Sequence, residues 1–176
     1  MAARGRLVDD GLGSQLDRID AQILSPSVRA GFRYWRDLLR GRNMPARTEL
    51  DPTAIGRLLV HICLIDVQHD PLDFHVRLVG EHVSQRQGAT RGRRLADCVA
   101  PEQGRDVLLD RLRECIEQRL PAHRLYRYVP LVLPRESRWV EGVSCPLSDS
   151  GDGVDCIVNF GSDDDFAVPE NSAGQS

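Results

Sequence analysis

The chain contains no lysine, so all 23 of its basic residues are arginine. A uniform bias of that kind reads as genome composition rather than as a device for phosphate, and the net charge of −3 gives no global pull towards nucleic acid or an anionic membrane surface. It also lacks any apolar run near the roughly 20 residues that cross a bilayer, and Met1 to Gly13 has no apolar signal-peptide core. A cytoplasmic location without a membrane partner is therefore expected. The five cysteines include no CxxC pair, so spacing encodes neither a disulfide framework nor a zinc site, and reduced, buried thiols are expected. His61, His69, His75, His82 and His123 have no HExxH or other metal spacing, and GxSxG, Walker and dinucleotide fingerprints are missing. These absences leave no catalytic residue and no metal ligand to assign. No cofactor is expected, and a haem would have only a lone histidine such as His82 or His75.

What is present is a clear order of helix and strand signals in a chain of 176 residues, a length that suits one domain. Leu12, Leu16, Ile19 and Ile23 mark a short amphipathic helix inside a flexible N-terminal region, 1–24. Its apolar stripe suits packing on its own domain or on a second copy. Val28, Phe32, Trp35 and Leu39 form the stripe of the next helix, with Ser25 as cap, Pro26 at the first position and Gly41 near the end. Asp51-Pro52 repeats that grammar, and Leu50 and Ile55 are placed as a hydrophobic staple. Ile62 to Val67 and Asp73 to Val79 read as strands joined by the turn at His69-Asp70-Pro71. Glu81 to Val99 holds short helical pieces punctuated by Gly88 and Gly92, of the irregular kind that borders pockets. Pro101 opens a helix with Leu108, Leu112, Cys115, Ile116 and Leu120 on one face. The domain is placed at 25–161, followed by a disordered acidic tail, 162–176.

Tyr126 to Leu133, Arg138 to Leu147 and Val154 to Phe160 read as strands in two consecutive hairpins. Centring the second on its Ser-Gly turn sets Cys145 opposite Cys156, Val143 opposite Val158 and Glu141 opposite Phe160. Centring the first on Arg135-Glu136 adds Tyr126, Tyr128 and Trp139 to the same face. Aromatics and one carboxylate on an apolar wall suit a small-molecule cavity, and a one-residue slip would turn all of them away. The candidate ligand-binding residues are thus Arg77, Tyr126, Tyr128, Trp139, Glu141 and Phe160. Because an unpaired buried charge is costly, Glu141 either pairs with Arg77 or Arg127 or sits at the sheet edge in water.

Two N-terminal helices, two strands, short helices, a longer helix and three terminal strands are the element order of a PAS domain. The chain resembles the small stand-alone PAS proteins common in alphaproteobacteria through Tyr34-Trp35-Arg36-Asp37-Leu38, Gly41-Arg42, Met44-Pro45, Asp51-Pro52, Leu58-Leu59, Ile65-Asp66-Val67, Arg77-Leu78-Val79-Gly80, Gly92-Arg93-Arg94-Leu95, Pro101-Glu102 and Cys145-Pro146-Leu147-Ser148-Asp149. It departs from them at His61, Glu81 and Gln87. The resemblance implies an α+β fold, a PAS-like five-stranded antiparallel sheet covered on one face by helices, and a sensing or docking role without a reaction. The expected function is a module that binds a small ligand or partner protein and signals through helix or dimer rearrangement. The expected partners are an unknown small ligand, a second copy in a homodimer and a separate signalling protein, with no nucleic acid. Two alternatives stay open: a small enzyme using His or Cys chemistry, and nucleic-acid binding through Arg29, Arg33, Arg36 and Arg40 on one helix face.

Overall fold

The computed structural model describes residues 5–99, 102–128 and 137–169. Helix α1, Gly5–Gln22, starts earlier than its apolar spacing predicts, and α2, Pro26–Asp37, follows after three residues. The α2 start obeys the cap grammar: the Ser25 Oγ accepts from the Val28 N–H at 3.1 Å and Pro26 takes the first helical position. Asp51 does the same for the single turn α3, Pro52–Ile55, accepting from the Thr53 N–H at 2.8 Å. A 3-10 turn then feeds β1, Ile62–His69, which pairs with β2, Leu72–Val79. The irregular stretch resolves into α4, Glu81–Gln87, and α5, Leu95–Cys98, with Gly88 and Gly92 at positive φ as the punctuation requires. Helix α6, Glu102–Gln118, precedes β3, Ala122–Tyr128, β4, Arg138–Leu147, and β5, Cys156–Ser162. The third strand thus starts four residues earlier than expected, directly after Pro121, which ends the helix and admits a strand at once.

The five strands form one antiparallel sheet in the order β2-β1-β5-β4-β3. Helices cover both of its faces, not one. On the first, α2 lays Val28, Phe32 and Trp35 on Val143, Cys145, Val158 and Phe160, and α1 adds Leu16. The α1 stripe therefore packs on its own domain. Gly31 lets α2 lie directly on the Phe160 ring, where any Cβ would overlap it. The Trp35 indole N–H donates to the Pro146 carbonyl at 2.9 Å, which ties α2 to β4. On the second face, Leu108, Leu112 and Cys115 of α6 pack on Cys63, Ile65, Val76 and Ile157. Each large apolar side chain buried this way stabilises the fold by roughly 1.5–3 kcal/mol.

Register decides which side chains share a face. The second hairpin pairs Val143 with Phe160 and Cys145 with Val158, a shift of two residues from the predicted pairing, so its side chains keep their predicted face. The first pairs Tyr126 with Val140 and Tyr128 with Arg138. That differs from the predicted centre by an odd number of residues, which sends Tyr126 and Tyr128 to the α6 face and leaves Trp139, Glu141 and Phe160 on the α2 face. The predicted turn at 134–136 lies outside the described residues, as do strand positions 129–133, Pro101, and 170–176 of the expected tail. Residues 162–165 of that tail close β5 and make side-chain contacts.

Candidate functional site

Between α6 and the sheet, alternate residues of β4 and β5 present Ser144, Gly142 and Val140 beside Asn159 and Gly161. Arg111 of α6 reaches into this strip and is 2 % exposed. Its Nε donates to the Ser144 Oγ at 2.9 Å and one terminal nitrogen donates to the Asn159 Oδ1 at 2.6 Å. Both acceptors are neutral, and the other terminal nitrogen, Nη1, has no acceptor among the described residues. That nitrogen lies over Gly142, where a Cβ would collide with it. Burial pushes the Arg111 guanidinium down from its ordinary value, and it pushes the Tyr126 phenol up against the opposing pull of Arg111.

The strip ends in a narrow cleft lined by His82, Val83, Arg86, Gln87, Tyr128, Val140 and Asp163, which in this state has room for about one water. Asp163 is held from three sides. The His82 Nε2 stands 2.8 Å from its Oδ1, the Tyr128 hydroxyl donates to its Oδ2 at 3.3 Å, and Arg86 is 3.5 Å away. His61 packs against the His82 ring, with centroids 4.7 Å apart. His82, Asp163 and Asp164 place one donor atom each within 4.8 Å of one another, but Arg86 beside them opposes a cation. The His82 Nε2 is thus engaged by Asp163, and its Nδ1 lies 3.8 Å from Asp164.

The hydrogen bond to Asp163 raises His82 above its usual 6.5, with burial and Arg86 opposing. Burial alone would raise Asp163, but the His82 hydrogen bond and nearby cations outweigh it and hold the carboxyl below its usual 3.8. A raised folded-state value means that the His82 contribution is complete below 6.5 and is lost as pH rises through that raised value. The Asp163 contribution is complete above 3.8 and is lost on acidification. Thermal stability is therefore expected to fall as pH rises above 6.5 through the raised His82 value, and His82→Gln to flatten that slope. An unchanged slope in the variant would remove His82 as its origin.

The opposite face carries a second polar cluster. Glu141 is fully buried on β4 and accepts from the Leu24 N–H at 2.8 Å and the Ser25 N–H at 2.5 Å, while the His123 Nε2 lies 2.8 Å from its Oε1. A strand carboxylate thus binds the backbone just ahead of α2, where the helix dipole favours negative charge. Asp165 completes this clamp, accepting from the Ser25 hydroxyl at 2.5 Å and the Ser27 N–H at 2.9 Å. Burial would raise Asp165, yet those hydrogen bonds leave it lowered.

The six predicted residues therefore do not form one cavity wall. Tyr126 and Tyr128 lie on the α6 side. Glu141 and Phe160 lie under α2, and Trp139 shares their face with the Arg127 guanidinium 5.4 Å over its ring. Arg77 sits on the edge strand and pairs with Asp66 at 2.6 Å, so neither Arg77 nor Arg127 is the partner of Glu141. Arg111, Asn159 and Asp163 were not predicted, and His82 was named only as a lone histidine for a haem. Arg111 occupies the α6 face of Leu108, Leu112 and Cys115, and a charge on an apolar stripe was the available signal. Three arginines of the α2 face are engaged by α1 or its end: Arg33 with Asp20, Arg36 with Asp17, and Arg29 with the Ile23 carbonyl. Burial pushes the Cys63 and Cys156 thiols up to about 12, and raises Cys115 and Cys145 as well, so these thiols stay protonated.

A family model described as a PAS domain matches residues 23–124. Among curated proteins none matches the chain. Similar solved structures include the light state of the blue-light photoreceptor Aureochrome1 LOV, at 16% identity over 69% of this chain and 91% of that one, with a TM-score of 0.44. A light-oxygen-voltage domain studied with a flavin analogue has 14% identity over 69% and 86%, with a TM-score of 0.47. The PAS domain of a Colwellia psychrerythraea protein has 9% identity over 64% and 94%, with a TM-score of 0.45. Among the described residues no helix is long and apolar enough to cross a membrane.

Proposed function

From the premise that this chain belongs to the PAS domain family, we propose that it is a non-catalytic sensory module of the alphaproteobacterial type. It takes a small molecule into the layer between the sheet and α4–α6, and reports it at α1 and α2 across the sheet. The observation that carries this reading is the coupling of the two faces through adjacent residues. Val140 walls the cleft, and its neighbour Glu141 holds Leu24 and Ser25. Asp163 is gripped by His82, Arg86 and Tyr128, and Asp165, two residues on, holds Ser25 and Ser27.

In this reading Tyr126 and Tyr128 border the ligand, Glu141 relays its presence, and Phe160 and Trp139 support the relay under α2. A ligand shifts the helices only by the difference in its affinity for the two arrangements. The output surface is the outer side of α1 and α2, which meets a second copy in a homodimer or a separate signalling protein. The protonated thiols and the absorption of His82 and His123 into carboxylate clamps support a binding role over His or Cys chemistry.

Native mass spectrometry of protein purified without denaturation, followed by amide hydrogen exchange before and after stripping, tests the proposal. A releasable small molecule whose removal speeds exchange at Leu24, Ser25 and Val28 supports it. The reading fails if no mass is released, or if those amides exchange at the same rate in both forms.

A further inference from the structure

We propose that the occupant of this layer is a small monocarboxylate, one of whose oxygens is bound by the free terminal nitrogen of Arg111. The inference rests on the reading of the α4–α6 side as the ligand side. An arginine fork enclosed in a core calls for an anion, and among the described residues Arg111 has only the Ser144 hydroxyl and the Asn159 amide oxygen. Neither can take another donor in the same place, because the Ser144 hydroxyl also donates to the Asn159 Oδ1 at 3.1 Å.

The unpaired nitrogen lies on the strip of β4 that leads to the cleft. Nε is fixed at Ser144, and Nη1 lies over Gly142, the next residue on that face. The residue beyond is Val140, which lines the cleft, as does Gly161, the cross-strand partner of Gly142. Gly142 is what brings the guanidinium down onto the sheet, since a side chain there would occupy the place of Nη1. The Tyr126 side chain, paired across the strands with Val140, is near enough to Arg111 for the guanidinium charge to act on its phenol.

The charge and shape of the surroundings narrow the class. Val83, Val140 and the Tyr128 ring wall the cleft, which suits an apolar body behind one carboxylate. Asp163 at the cleft already engages Arg86, so that cation is not free to balance the second charge of a phosphate dianion. In the present state the cleft holds about one water, so binding widens it, and that widening is the displacement passed to Glu141 and Asp163.

The test compares acetate, propionate and benzoate with acetamide, propionamide and benzamide in thermal denaturation of the full chain. A saturable rise in midpoint with at least one acid, absent with its amide, is expected. Arg111→Met should abolish the rise, and Arg111→Lys, which keeps the charge and loses the planar fork, should weaken binding about tenfold. Should Arg111→Met fail to fold, the guanidinium nitrogen resonances of wild-type Arg111 must move on adding the acid. The proposal is overturned if no acid shifts the midpoint, if amides act as acids do, or if Arg111→Met still responds. Hydrogen exchange at Leu24 and Ser25 separates this claim from the sensory one. An acid that binds at Arg111 without altering exchange supports the site and removes the relay, whereas a neutral molecule that alters exchange where acids do nothing removes the site alone.

Discussion

Replacing Glu141 with alanine is expected to cost about 3 kcal/mol or more of folding stability, because several buried donors lose one shared acceptor. The loss is concentrated at one place. Without the carboxylate the Leu24 and Ser25 N–H groups and the His123 ring nitrogen lose their shared acceptor, and a buried donor left unmatched costs roughly 1–3 kcal/mol. Glu141→Gln keeps one acceptor oxygen but turns an NH2 group towards backbone donors, so a smaller loss of about 1–3 kcal/mol is expected. Urea denaturation measures both. The midpoint should fall with little change in slope, and amide exchange at Leu24 and Ser25 should accelerate before that of the α6 amides. A Glu141→Ala midpoint equal to that of wild type would mean that the clamp does not hold α2.

Gly80→Ala is expected to destabilise by about 3 kcal/mol, the upper end of the range for overpacking a well-packed site. The residue follows β2, and its N–H donates to the Ile62 carbonyl at 2.8 Å, which closes the β1-β2 ladder. A Cβ at this position would stand well inside contact distance of the Leu59 carbonyl oxygen and of the Val60 carbonyl group. Those are backbone atoms of the 3-10 turn that feeds β1, so no side-chain rotation relieves the overlap. The φ of Gly80 is −73°, which any residue adopts, so close approach and not conformational freedom demands glycine here. Guanidinium chloride denaturation checks the magnitude. A loss below about 1 kcal/mol would show that the turn yields at little cost.

The clamp at Glu141 and the glycine at position 80 mark different limits of sequence reading. Gly80 was legible as the end of a strand, because the apolar pattern stops there. Its real constraint comes from Leu59, a neighbour in space that no local pattern identifies. Glu141 was legible as a carboxylate on an apolar face needing partners. Its partners were sought among arginines, whereas backbone N–H groups and a histidine supply them, because they become neighbours only when α2 crosses β4. The division of Tyr126 and Tyr128 from Glu141 has the same origin. An odd shift in the β3-β4 register exchanges faces, while the even shift in the β4-β5 register left Val143, Cys145 and Phe160 where alternation placed them.

Elements and their ends follow from short-range chemistry. Ser25-Pro26 and Asp51-Pro52 start helices because their side-chain oxygens reach the first free N–H groups, and Arg138 to Leu147 is a strand because its residues favour extended backbone and lie between turn signals. These interactions span a few residues and are written in consecutive letters, which is why the PAS order of elements was readable without coordinates. Packing both faces of the sheet, bringing Asp163 and Asp165 to opposite helices, and leaving Arg111 in the core without an acid depend on groups far apart in the chain. Their energies depend on burial and on which partners arrive, and both are properties of the closed fold rather than of any local segment.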